Sequence, residues 1–190
     1  MMRIWPLLVL CACGGIQASL PEELWQRLSK EDRLAIYERE NAVVIAQSRL
    51  DEARLLIRQT KERINQLGDR YSRCKARLEK TNQSARIDGV KKMRDAQEAF
   101  LDDQLSIAEA HVELRKKEID AARAVVELQK ARQLVKSGLA SEKTIEDFER
   151  AARDAAEVAK KAERQELDLR AESQKKFLDW KAAEAEYART

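Results

Sequence analysis

Counted in sevens from Ile36, the chain sets Ile36, Val43, Leu50, Ile57, Ile64, Tyr71 and Leu78 in one unbroken apolar column. A single helix in water leaves such a column uncovered. An α-helix turns every 3.6 residues, so a strict seven-residue repeat stays buried only if the helix coils around a partner. The companion column reads Arg39, Ala46, Ala53, Thr60, Leu67 and Cys74. It is smaller and more polar, which suits close helix approach. Composition removes the alternatives: 37% of residues are charged, 5% are aromatic, and there are only five Gly and two Pro. So few breakers and so little aromatic bulk exclude an ordinary globular domain and imply long helices. The expected fold is all-α, a three-helix antiparallel coiled-coil rod, the alternative being one or two hairpins opened out into a longer oligomeric rod.

Turn signals divide the chain. Residues 81–89 read Thr-Asn-Gln-Ser-Ala-Arg-Ile-Asp-Gly, a cluster of turn formers. After it a second apolar column runs through Met93, Phe100, Ile107, Leu114, Ala121, Leu128 and Val135. Folding back at the Ala85–Arg86 bond sets the two columns against each other, from Leu78 with Met93, through Tyr71 with Phe100, to Ile36 with Val135. Every layer is apolar, and the fold-back point falls inside the turn cluster. Agreement between independent signals is the best evidence a sequence offers.

Ser137-Gly138-Leu139-Ala140 predicts a second turn, with Gly138 just past one helix and Ser141 capping the next. Folding back between Gly138 and Leu139 pairs Arg132 with Ile145, Val125 with Ala152, Glu118 with Ala159, His111 with Glu166, Gln104 with Ser173, Gln97 with Trp180 and Val90 with Tyr187. The middle of this seam is polar: Gln104, His111, Glu166 and Ser173 form a polar core layer. Such layers fix register at some cost in stability. The expected helices span about 30–80, 90–136 and 141–189, roughly 70–75 Å each at 1.5 Å per residue. A short helix within 19–29 precedes them, begun by a Ser19-Leu20-Pro21-Glu22 capping box. Ser29 with Asp32 starts the long one.

Charge and motif content exclude several classes of function. The net charge of +3 balances 37 basic against 34 acidic residues, and the two signs are interleaved. A nucleic-acid surface needs a one-signed stripe, so no nucleic acid is expected as a partner. One histidine cannot build a His-based metal cluster, no glycine-rich phosphate loop or nucleophile elbow is present, and pairs such as Asp102-Asp103 read as solvated helix faces. Neither a catalytic residue, a metal nor a cofactor is expected, and the chain is not read as an enzyme. His111 opposite Glu166 is open to two readings, a core hydrogen bond or a pH-sensitive layer. Cys74, at a seam position, is either a buried inert thiol or an intermolecular disulfide former.

The first residues differ in kind. Arg3 followed by the apolar run Ile4 to Ala12 has the form of an export signal and is too short to span a membrane. Two boundaries compete: a signal peptide over 1–18, cut after Ala18, or one over 1–12. In the second case Leu10-Cys11-Ala12-Cys13-Gly14 resembles a bacterial lipobox, which implies lipidation of Cys13. The expected location is the periplasm, free or anchored to the membrane through that lipid.

Lys130 to Glu146 resembles the hairpin turn of periplasmic adaptor (membrane-fusion) proteins, matching at Leu134, Gly138 and Ser141. Lys130 stands where that family carries Arg, which keeps the charge but not the bidentate fork. TolC-type channel proteins carry similar turns. The resemblance covers about 17 residues and implies that Lys130, Leu134, Gly138 and Ser141 contact another envelope protein, for adaptors a TolC-type outer-membrane channel. The functional expectation is an exported structural or interaction protein acting as spacer, scaffold or rod, with self-association open. The alternatives are an accessory of a tripartite efflux or secretion system and a periplasmic holdase.

Overall fold

The computed structural model describes residues 19–83 and 86–189. The leader with its two cut sites, Cys13, and Ser84 and Ala85 of the first turn lie outside the described residues. The fold is all-α. A short α1 (Glu22–Trp25) precedes three long helices, α2 (Lys30–Lys80), α3 (Ile87–Lys136) and α4 (Glu142–Ala188). No described helix is long and apolar enough to cross a membrane.

The seam of α2 follows its heptads closely. Between Val43 and Lys80 the only buried or half-buried residues are Val43, Ala46, Leu50, Ala53, Ile57, Thr60, Ile64, Leu67, Tyr71, Cys74 and Leu78. These are the two columns and nothing else. Arg39, the first member of the companion column, is exposed, because desolvating a guanidinium without a partner is costly.

Helix ends explain where the long segments stop. Ser29 Oγ accepts the Asp32 backbone N–H at 3.1 Å and donates to the Asp32 carboxylate at 2.7 Å, closing the first turn of α2. Both later ends carry the same two-bond terminator. After α2, Gln83 N–H donates to Leu78 C=O at 2.9 Å and Asn82 N–H to Glu79 C=O at 3.3 Å, with Asn82 at φ 53°. After α3, Leu139 N–H donates to Leu134 C=O at 2.8 Å and Gly138 N–H to Val135 C=O at 2.9 Å, with Gly138 at φ 70°. These are Schellman motifs, which satisfy carbonyls that the helix end would otherwise leave open. The first turn is shorter than the 81–89 cluster, since α3 already begins at Ile87. At the other end the Ser19–Glu22 capping box does not form: Pro21 occupies the cap position and makes no side-chain cap bond.

The chain divides into two compact units. The first comprises the described residues up to Ala46 with Lys117–Ala159. Its core is Leu20, Leu28, Ile36, Val126, Ala131, Leu134 and Phe148, with Leu24, Trp25, Val43, Leu128 and Ala140 packed around them. The register expected between α3 and α4 is corrected here. Val125 and Arg132, placed in the seam by simple fold-back, are exposed, and Val126, Ala131 and Leu134 are buried with Phe148 instead. Arg132 reaches Glu149 at 2.9 Å on the outside. Burying a phenyl ring and a leucine outweighs keeping an arginine layer dry.

The second unit comprises Gln47–Lys116 with Lys160–Thr190. Here α3 and α4 run antiparallel, shown by Lys92 with Glu186, Gln104 with Ser173 and His111 with Glu166. The expected Tyr71–Phe100 layer is replaced. Tyr71 lies under the Arg94 guanidinium, 4.7 Å from its ring centre, and Phe100 joins Phe177 and Trp180 of α4 at 5.4 and 5.5 Å. Aromatic rings gain more from one another's edges and faces than from a single facing ring next to a cation.

Candidate functional site

Within the first unit the turn between α3 and α4 is held by its terminator. Gly138, Leu139 and Ser141 are exposed there. The Ser141 hydroxyl lies 3.3 Å from the Thr144 hydroxyl, and Ser141 C=O accepts the Thr144 N–H at 3.0 Å, so Ser141 opens α4. One turn back, Lys136 Nζ donates to Asp32 at 2.8 Å. That hydrogen bond, with help from Ser29, holds the Asp32 carboxyl below its ordinary range. It also raises Lys136.

The four residues singled out by resemblance therefore separate. Gly138 and Ser141 are open to a partner. Leu134 has no exposed surface and belongs to the core, so it cannot touch a docked protein while the unit is folded. Lys130 is directed inward as well. Its Nζ donates to Glu127 at 2.8 Å with its side chain only 13% exposed, and it lies 5.6 Å from the centre of the Trp25 ring. The same Glu127 carboxylate accepts the Leu20 backbone N–H at 2.8 Å. Lys130 and Glu127 thus bind the first described residues and α1 onto α3. Sequence reading missed Glu127, although the Glu127–Lys130 spacing of three on one helix is a signal for the ion pair; Trp25, near an element end, reads from sequence as packing at the end of the bundle, and nothing local sets it against Lys130.

In the second unit the four residues of the polar layer meet in pairs. Gln104 Nε2 donates to Ser173 Oγ at 2.9 Å. His111 Nδ1 lies 3.0 Å from Glu166 Oε2. The other ring nitrogen, Nε2, accepts Arg115 Nε at 3.4 Å, so the proton resides on Nδ1 and is donated to the carboxylate. Arg170, one turn along α4, donates to the second carboxylate oxygen. Glu166 and Ser173 are buried. Burial pushes the Glu166 carboxyl up, but the hydrogen bonds from His111 and Arg170 and the charge of the Arg170 guanidinium outweigh it and hold the group below its ordinary value. Arg115 and Arg170 were missed, and both stand four residues from the group they serve.

This chemistry fastens helices. Gln104 with Ser173 and His111 with Glu166 bridge α3 and α4, while buried Arg86 Nε and Gln133 Oε1 have no hydrogen-bond partner, and among the described residues no cluster of three metal-binding side chains forms. Cys74 is a half-buried free thiol on the α2 seam. Comparison with known protein families, with curated proteins and with solved structures finds no match.

Proposed function

We propose that this chain is an exported, non-enzymatic helical protein of the bacterial envelope that spaces or holds other envelope components through its helix surfaces. The observation that carries the reading is the use of its buried polar side chains: Gln104 with Ser173 and His111 with Glu166 join two helices. A helical scaffold needs such layers to hold its pairing, whereas a catalytic site needs polar groups converging on a space for substrate. Export rests on the leader-like residues 1–18 and on the lipobox-like Cys13. Cell fractionation tests it: the mature protein should be found outside the cytoplasm, and Cys13→Ser should release it from membranes if the lipid is its anchor. Retention of the unprocessed chain in the cytoplasm would overturn the reading.

A second reading is favoured by the exposed turn. Gly138, Leu139 and Ser141 present a fixed, accessible loop, and a docking accessory of a TolC-type channel needs one. The contact is then restricted to the exposed residues. A photo-crosslinker placed at Ser141 in intact cells should capture an outer-membrane channel. No captured product from folded, exported protein would sink the docking reading and leave the scaffold.

A further inference from the structure

The small net charge conceals a local excess on α2. From Gln59 onward, residues three and four apart run Gln59, Arg63, Gln66, Arg70, Arg73, Arg77 and Lys80 along one helix face. Every one of them is exposed. The face carries five cations, two neutral amides and no acid. From Arg63 to Lys80 it extends about 25 Å at 1.5 Å per residue. Acids and bases are interleaved over the chain as a whole, but not along this stripe.

Arg63, Arg70, Arg73, Arg77 and Lys80 form no ion pair among the described residues. The nearest acids of α2 stand in other heptad columns. Glu62 accepts Gln66 Nε2 at 3.0 Å, Glu79 pairs with Lys75 at 3.9 Å, and Asp69 makes no ion pair with Arg73 one turn on. Across the seam α3 brings a further cation, Arg94, over Tyr71. The acids beside it, Asp95 and Glu98, are taken up by Arg94 itself. Like charges spaced in this way along a helix repel and weaken it, so the stripe costs stability unless an anionic surface compensates it.

We propose that α2 lies along an anionic phospholipid surface through Arg63, Arg70, Arg73, Arg77 and Lys80. Cations aligned on one helix face meet a plane of headgroups together, and basic clusters bind anionic bilayers by this attraction. The stripe contains no apolar side chain, so the contact is with headgroups, without insertion into the hydrocarbon. Nor does it contain an aromatic side chain to stack on bases, as single-stranded nucleic acid requires. The proposal rests on the envelope reading, which sets a bilayer surface within reach of the chain. It adds a membrane contact independent of any lipid on Cys13.

Vesicle sedimentation tests it, on the full chain carrying Cys13→Ser so that no lipid holds the protein. The chain should bind vesicles of phosphatidylglycerol with phosphatidylcholine far more tightly than vesicles of phosphatidylcholine alone. Raising the salt severalfold should release it. Each cation near such a surface strengthens binding about fivefold, so Arg70→Gln with Arg73→Gln should weaken it about thirtyfold, with helix content unchanged. Arg58→Gln with Lys61→Gln removes the same charge from columns outside the stripe and should cost far less. Equal binding to both vesicles, or equal losses from the two pairs, overturns the proposal. So does tighter binding to a short DNA duplex than to the anionic vesicles at equal phosphate concentration, which would make nucleic acid the partner. Cell fractionation separates this contact from the reading beneath it. A cytoplasmic chain that still binds anionic vesicles sinks the envelope assignment alone, and an exported chain that does not bind them sinks the contact alone.

Discussion

Replacing His111 and Glu166 by leucine, singly and together, tests whether their hydrogen bond fastens α3 to α4. Glu166 has only 6% of its side chain exposed and His111 17%, so neither group recovers full hydration if its partner is lost. A hydrogen bond to a charged group contributes about 1.5–3 kcal/mol net, and a buried group left without its partner costs about 1–3 kcal/mol. Each single variant should therefore lose ~2 kcal/mol. In His111→Leu the carboxylate keeps only Arg170, and in Glu166→Leu the imidazole keeps only Arg115. The double variant fills both positions with apolar side chains of similar size and should lose little or gain slightly. The coupling energy, the two single losses less that of the double variant, read from urea unfolding followed by helix circular dichroism, should be ~4 kcal/mol. It should also depend on pH. Glu166 is held below its ordinary value, so its contribution is complete above about pH 4.3 and is lost as pH falls through the lower folded-state value. Below that the single and double variants should converge. A coupling under about 0.5 kcal/mol at pH 7, the scatter expected of independent sites, would refute the assignment.

Glycine substitutions should have opposite signs at two positions. A Cβ at Gly68, inside α2, meets nothing within 4 Å, so Gly68→Ala should stabilise by roughly 0.5–1 kcal/mol; Gly138 sits at φ 70°, so Gly138→Ala should destabilise by about 1–2 kcal/mol, both read from thermal unfolding. Asn82→Gly should stabilise by a few tenths to ~1 kcal/mol, because Asn82 holds the same left-handed position with a side chain, and an unchanged or lower midpoint would contradict the terminator assigned there. Leu134→Ala should cost about 2–5 kcal/mol, while Leu139→Ala, five residues on and 38% exposed, should cost far less. Equal losses in urea unfolding would mean that the turn does not separate core from surface as described.

The α2 seam was legible residue by residue because that helix buries one face, and one face imposes one period. The second seam was legible where it is polar. Gln104, His111, Glu166 and Ser173 have few acceptable neighbours, so simple fold-back brought them together on paper as they meet in the structure. It was illegible near the Gly138 turn. There α3 has core residues on more than one face, Ile36 of α2 and Phe148 of α4 belonging to the same cluster with Val126, Ala131 and Leu134. A broad buried face has no single period, and the small columns at Val125 and Arg132 misled. The turn itself was readable from Gly138 and Ser141, but the inward use of Lys130 was not. It depends on Glu127 and on Trp25, more than a hundred residues away in the chain.

The spacing of the polar layer in the second unit bears on how the hairpin finds its alignment. Gln104–Ser173 and His111–Glu166 stand one heptad apart, and a heptad is the smallest slip that returns seam residues to the seam. Sliding α4 seven residues one way sets Glu166 against Glu118; sliding it the other way leaves His111 facing Ala159. Each slip breaks both native pairs and makes one replacement, Gln104 with Glu166 or His111 with Ser173, so it forfeits one hydrogen bond and leaves its former partners unpaired, about 1–3 kcal/mol, which holds a slipped hairpin to a minority. The alanines that let α4 lie close would otherwise accept several alignments almost equally, so a few polar atoms act as the proofreading step that an alanine-rich seam lacks.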